Sequence, residues 1–226
     1  MVLIFHLHLS SLLNSLSSGG GRLPLHIAVD RNNPCIETVK LLVQTYPEAA
    51  STRRGVGRLP IHYAVFCDQP NLEVVKYLLE IYPTGAQTTD VYGRLPLHYA
   101  VDRLKPNLLV VKLLLSIYPN GVYVRDTNHR LPLMIAIDHG GPNETTQVVE
   151  SLLGIYPESI KERGPGGRYP LHIAVGAPKP NLSLVAYLAP LFPEALTAEI
   201  TPGFHNSTHS MIDFFCRKRR YADRNL

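Results

Sequence analysis

The chain has no tryptophan, only three cysteines among 226 residues, and charged side chains at just 18% of positions. Three cysteines over this length cannot build a disulfide framework, so the core must hold the fold and a reducing compartment is expected. So little charge excludes a coiled coil, while a hydrophobic content of 45% excludes a disordered chain. No apolar run reaches the roughly 20 residues that cross a bilayer. The net charge of +4 is unevenly placed: residues 1–202 carry 17 basic and 16 acidic side chains, residues 203–226 five and two. A nearly neutral body with a basic end is unlike a nucleic-acid-binding domain, which is basic along one face.

Proline is in excess, with 19 residues, about 8% against a usual figure near 5%. Its placement is periodic. Gly21-Arg-Leu-Pro-Leu-His-Ile-Ala-Val29 returns as Gly57-Arg-Leu-Pro-Ile-His-Tyr-Ala-Val65 and as Gly93-Arg-Leu-Pro-Leu-His-Tyr-Ala-Val101. It returns again as His129-Arg-Leu-Pro-Leu-Met-Ile-Ala-Ile137 and Gly167-Arg-Tyr-Pro-Leu-His-Ile-Ala-Val175, with spacings of 36, 36, 36 and 38. Fifteen of the 19 prolines are three per unit, so they punctuate the repeat rather than mark disorder.

Each unit reads as helix, turn, helix, loop. Pro96 suits a first helical turn, where its missing N–H is no loss. Leu97, Ala100 and Val101 then share one face. Lys105-Pro106 breaks that short helix and Asn107 is a good cap for the next. Val110, Val111, Leu114 and Leu115 form the second buried stripe, which Ile117 and Tyr118 close. Pro119 disfavours helical geometry at Tyr118 and ends the helix. Helices this short cannot bury their apolar faces alone, so neighbouring units must stack.

At these residues the chain resembles the ankyrin repeat family, with its unit of about 33 residues and Thr-Pro-Leu-His-x-Ala core. The resemblance implies an all-α, ankyrin-type helix-turn-helix solenoid with hairpin-like loops between repeats. Five repeats are expected at 21–56, 57–92, 93–128, 129–166 and 167–202. The sequence departs from the family at Leu23, Leu59, Leu95, Leu131 and Tyr169, which replace the threonine that usually caps the first helix. After helix two, Tyr46-Pro47, Tyr82-Pro83, Tyr118-Pro119, Tyr156-Pro157 and Phe192-Pro193 stand in place of Gly-Ala. Stacking is expected to make those five aromatics a packed, buried ladder.

Residues 1–20 read as a degraded half-repeat serving as a cap, since Val2, Leu3, Phe5, Leu7 and Leu9 align with Val74, Val75, Tyr77, Leu79 and Ile81. A secretory signal is the rival, but it lacks a positive start. N-glycosylation patterns begin at Asn143, Asn181 and Asn206, though such tripeptides are common by chance. Residues 203–226 read as a basic capping helix ending in Arg217-Lys218-Arg219-Arg220. A localisation or nucleic-acid patch is the alternative there.

Little points to chemistry. His26, His62, His98 and His172 occupy one repeat position, so stacking spaces them out rather than converging them on a metal. The resemblance implies that they hydrogen-bond backbone, with Met134 in the fourth place. His205, His209, Asp213 and Cys216 approach helical ligand spacing, but His205 precedes the expected cap, so no metal is expected. Cys35 and Cys67 lack the fixed partners of a nucleophile. Gly164-Pro-Gly-Gly167 lacks the Lys-Ser/Thr and helix of a phosphate loop. The reading is of no enzyme and no cofactor.

The expected function is protein–protein interaction, as an adaptor or scaffold. The alternative is a nuclear regulator whose basic tail contacts nucleic acid or an import receptor. The resemblance implies partner contacts at the loop tips, beside the Gly, and after the first helix. Carried over, these are Val91, Tyr92, Thr127 and Asn128; Arg58, Arg94 and Arg130; and Phe66, Asp102, Arg103, Asp138 and His139. Arg54 and Val56 are also at a tip. Asp30, Asp102 and Asp138 stand eight residues after arginines and are expected to pair with them. A monomer in the cytoplasm or nucleus is expected, with a protein partner and without nucleic acid or membrane.

Overall fold

The computed structural model describes residues 21–139, 144–177 and 180–199. The two expected caps, with Asn206, His205, His209, Asp213 and Cys216, lie outside the described residues. The described residues contain short helices in pairs and no named strand. They are α1 (Pro24–Val29) with α2 (Ile36–Thr45), α3 (Pro60–Phe66) with α4 (Leu72–Ile81), and α5 (Pro96–Val101) with α6 (Leu108–Ile117). Then come α7 (Pro132–His139) with α8 (Glu144–Ile155), and α9 (Pro170–Gly176) with α10 (Leu182–Leu191). They divide into two compact units, one built on residues 21–100 and 107–121, the other on 101–106 and 122–199. In the first, α3 packs on α1, α4 on α2 and α6 on α4; in the second, α9 packs on α7 and α10 on α8.

Sequence dictates both ends of each helix. Every first helix opens on proline, and its preceding Leu or Tyr is extended, with ψ near 160° at Leu23, Leu59 and Tyr169. The missing threonine cap is supplied by the histidine two residues inside. The N–H groups of Leu59, Leu95 and Tyr169 donate to Nδ1 of His62, His98 and His172 at 3.0–3.1 Å. An orphan amide of the helix start is thereby satisfied. Asn71, Asn107 and Asn181 cap the second helices by accepting backbone N–H bonds, as expected for Asn107. Cys35, at the same place before α2, makes no such bond.

The tyrosine before each Tyr-Pro proline leaves helical geometry, with φ −137° at Tyr82 and −135° at Tyr118. A short 3-10 turn follows, and the residue three past the aromatic donates its N–H back to that aromatic's carbonyl. This residue is Ala49, Gly85, Gly121, Ser159 or Ala195, always small and always buried. The reason is contact: a Cβ on Gly85 or Gly121 would lie 3.2 Å from Cδ1 of Tyr82 or Tyr118.

The core consists of the expected stripes. Val110, Val111, Leu114 and Leu115 are buried, as are Leu97, Ala100 and Val101. Burying each valine or leucine among them is worth about 1.5–3 kcal/mol. Two expectations fail. Ile117, the last residue of α6, faces outward at 39% exposure. The five helix-ending aromatics are half-buried rather than a core stack. Leaving helical geometry turns each ring over its own 3-10 turn. In the second unit Tyr156 meets Tyr123, and Phe192 meets Tyr169 edge-on at 5.1 Å.

Tyr118→Ala should therefore destabilise by roughly 2 kcal/mol, about half the loss of a fully buried ring. Equilibrium urea unfolding measures this, and a loss above about 4 kcal/mol would restore the buried ladder. Gly154→Ala tests the outer side of α8. No atom lies within 4 Å of a Cβ built there, so the change should stabilise the helix by about 0.5–1 kcal/mol.

Candidate partner-binding surface

Each loop between helix pairs narrows to a tight hairpin. Arg54 and Arg58 exchange both backbone hydrogen bonds, at 2.9 and 3.0 Å. The N–H groups of Asp90, Asp126 and Gly164 likewise donate to the carbonyls of Arg94, Arg130 and Arg168. The last turn residue is left-handed, with φ +78° at Gly57, +67° at Gly93 and +68° at Gly167. His129 takes that place in the third hairpin at φ +60°, a conformation that costs a side-chain-bearing residue about 1 kcal/mol.

Two aspartates that the sequence reading missed hold the second and third hairpins. Asp90 Oδ1 accepts the N–H of Tyr92 at 2.9 Å and of Arg94 at 3.0 Å. Asp126 Oδ1 does the same for Asn128 and Arg130, both at 2.9 Å. Both carboxylates are buried. The signal was present as Asp four residues before each Arg, but pairing was sought eight residues after it. That pairing holds at Arg22, which bonds Asp30. Arg130 instead clamps Asp126, through Nε at 3.0 Å and Nη2 at 2.8 Å. Burial disfavours the Asp126 carboxylate, but its bonds from Arg130 outweigh this and hold it below its usual range.

In the first unit, arginines and tyrosines alternate. Arg22 and Arg58 lie over the Tyr63 ring at 5.5 and 5.8 Å, and Arg58 and Arg94 over Tyr99 at 4.6 and 5.5 Å. Tyr99 donates to Asp90 Oδ2 at 2.5 Å and accepts from Arg58 Nη2 at 2.7 Å. Burial and the Asp90 bond push the Tyr99 phenol up to about 12. Only the pairs at α3 and α5 carry tyrosine after the histidine, so the ladder ends with them.

The predicted contact residues thus fall into two sets. Arg58 and Arg130 are half-buried and turned onto internal acceptors, and Arg94 lies over Tyr99. Phe66, expected as an exposed aromatic, is half-buried and packs edge-on against Tyr99 at 5.2 Å. Val91 and Tyr92 project from their hairpin at 62% and 46% exposure. Thr127 and Asn128 are exposed on the next, and Asp138 and His139 at the end of α7. Asp102 and Arg103 are half-buried. His139 Nδ1 bonds Asp102 Oδ1 at 2.8 Å, which raises the imidazole above its ordinary range.

The repeat histidines are structural. His26 Nε2 bonds the Thr52 carbonyl at 3.1 Å, and burial lowers His26 and His62 to about 4. Met134 fills the fourth place, where a Cβ on Gly164 would lie only 2.7 Å from its Sδ. Glycine in that hairpin thus makes room for the thioether.

Three copies of the family model for ankyrin repeats match residues 3–87, 25–124 and 71–159, more than half of the chain. The chain belongs to the ankyrin repeat family, and its fold is that family's all-α helix-turn-helix solenoid. Ankyrin repeats are generally modules that bind protein partners, typically without catalytic activity. No curated protein matches the chain. Among the described residues no helix is long and apolar enough to cross a membrane.

Stability should depend on pH from two directions. Unfolded histidine takes a proton below about pH 6.5, which His26 and His62 refuse until about pH 4 in the fold. Stability should then fall from pH 6.5 toward 4.5 by about 2–3 kcal/mol for each ring. The His139–Asp102 contribution has the opposite sign. It is complete below the unfolded value and is lost as pH rises through the raised folded value. Urea midpoints across this range test both, and Asp102→Asn should abolish the alkaline loss. Separately, His129→Gly should stabilise by about 0.5–1 kcal/mol by relieving the left-handed turn.

Proposed function

We propose that the chain is a protein-interaction adaptor that binds its partner through the hairpin tips and first-helix ends. The arrangement of Val91 and Tyr92 carries this reading. Both are large, apolar and exposed, on a hairpin whose shape is fixed from inside by Asp90 rather than by the tip side chains. Such a tip needs no reorganisation to dock, and tyrosine is a frequent anchor of interfaces. Thr127, Asn128, Asp138, His139 and Arg103 extend the contact set, while Arg58, Arg94, Arg130, Phe66 and Asp102 support it from beneath.

In this proposal residues 21–202 form five repeats, 21–56, 57–92, 93–128, 129–166 and 167–202, capped by residues 1–20 and 203–226. The protein is a monomer of the cytoplasm or nucleus without enzymatic activity, cofactor or nucleic-acid ligand. The repeat histidines His26, His62, His98 and His172 are committed to helix starts and loop carbonyls, which supports that part of the reading.

Val91→Ala with Tyr92→Ala should abolish partner capture, because interface anchors contribute about 2 kcal/mol or more each. The unfolding midpoint should move little, since exposed changes stay within about 0.5 kcal/mol. Affinity purification of the wild type and the double variant, read by mass spectrometry, makes the comparison. Removal of residues 217–226 should leave capture intact. Capture that survives the double variant but not the truncation would place function in the basic tail.

A further inference from the structure

Cations in the first unit are segregated by type. Its six arginines, Arg22, Arg31, Arg53, Arg54, Arg58 and Arg94, all lie just before a first helix, in the turn after one, or in hairpins. Its three lysines, Lys40, Lys76 and Lys112, all lie on second helices. The hairpin stretches 51–58 and 87–94 hold four of those arginines and one acid, Asp90, whose side chain is wholly buried. These hairpins expose no carboxylate of their own. In the second unit, by comparison, Arg125 bonds the part-exposed carboxylate of Glu162 at 2.6 Å.

The two hairpins are joined into one patch. Val91 N–H donates to the Val56 carbonyl at 3.0 Å, and Arg53 Nη1 donates to the Thr89 carbonyl at 3.1 Å. A carbonyl orients a guanidinium without cancelling its charge. Arg53 is exposed, Arg54 is half-exposed, and Val91 and Tyr92 stand beside them.

Resting on the interaction reading above, we infer that this patch of the first unit binds a carboxylate-rich peptide carrying a large apolar residue. Arg53 and Arg54 meet the carboxylates, and Val91 with Tyr92 meets the apolar side chain. Arginine suits this role because its planar fork engages carboxylate through two parallel bonds, which lysine cannot do. Single-stranded nucleic acid is the weaker fit. Binding it uses successive free aromatic faces for base stacking, and the patch offers Tyr92 alone, the Tyr63 and Tyr99 rings being buried and covered by guanidinium groups.

Fluorescence anisotropy with the full chain tests the inference, using a labelled glutamate-rich peptide containing two leucines. The controls are the same peptide with glutamine for glutamate, and oligouridine. The glutamate peptide should bind at least about tenfold tighter than either. Its affinity should fall about tenfold in Arg53→Gln with Arg54→Gln, and measurably in Arg53→Gln alone, a variant chosen to spare the half-buried Arg54. Neutralising Arg217–Arg220 to glutamine should leave it unchanged. Equal binding of the glutamine peptide overturns the inference, as does tighter binding of oligouridine or a loss confined to the tail variant. Partner capture abolished by Val91→Ala with Tyr92→Ala, alongside no glutamate-peptide binding, sinks this inference while the interaction reading stands. Peptide binding without loss in the Arg53 variants sinks it as well.

Discussion

A helix of six to eight residues has little stability of its own, and every first helix here is of that length. Local propensity therefore cannot hold this protein together. Each helix persists because its apolar face is covered by the helix pairs beside it, and the other features serve that packing. Proline starts the helix without an unsatisfied N–H, histidine accepts the next orphan amide, and asparagine caps the companion helix. The aromatic before each Tyr-Pro or Phe-Pro proline stops that companion and folds back over a small residue. These devices place each helix end within a residue or so, which fixes the register in which neighbouring faces meet.

The histidine links this framework to the surface. Buried and neutral, it bonds either the amide at its own helix start, as His62 does at Leu59, or the loop that leads into the next hairpin, as His26 does at Thr52. The hairpin is then closed by Asp90 or Asp126, working from below. Where Met134 replaces histidine, the loop above it contains Gly164, whose missing Cβ leaves room for the thioether, so the exchange at one position is absorbed at another. In the first unit, arginines stacked on Tyr63 and Tyr99 extend the framework outward. Repulsion among those cations is moderated by the buried Asp90 and by Asp30.

Most of the fold was legible because it repeats. A position that meets the same neighbours in every unit keeps its residue type, so Leu-Pro-Leu-His and the aliphatic stripes announced the helices, their caps and their buried faces. What repeats without being buried was misread. The Tyr-Pro aromatics recur because a ring packs on its own 3-10 turn, a local contact that periodicity cannot distinguish from a core ladder. Asp90 and Asp126 went unnoticed because only two hairpins carry them, Arg54 and Gly164 standing in the others. Phe66 looked exposed for a related reason. It follows the helix in sequence, but the tyrosine that covers it comes from the next pair, 33 residues away.

The closure of a hairpin by one internal carboxylate bears on how such a protein can change over generations. Asp90 specifies the turn through backbone amides, so the letters at Val91 and Tyr92 are released from any part in folding the loop that displays them. A codon altered there changes what the tip presents without disturbing its shape. A codon altered at Asp90 does the reverse. Heritable variation is thus channelled toward the residues where it is least harmful to the fold and most consequential for recognition. A lineage can try new associations at the tips while the fold beneath them is inherited unchanged.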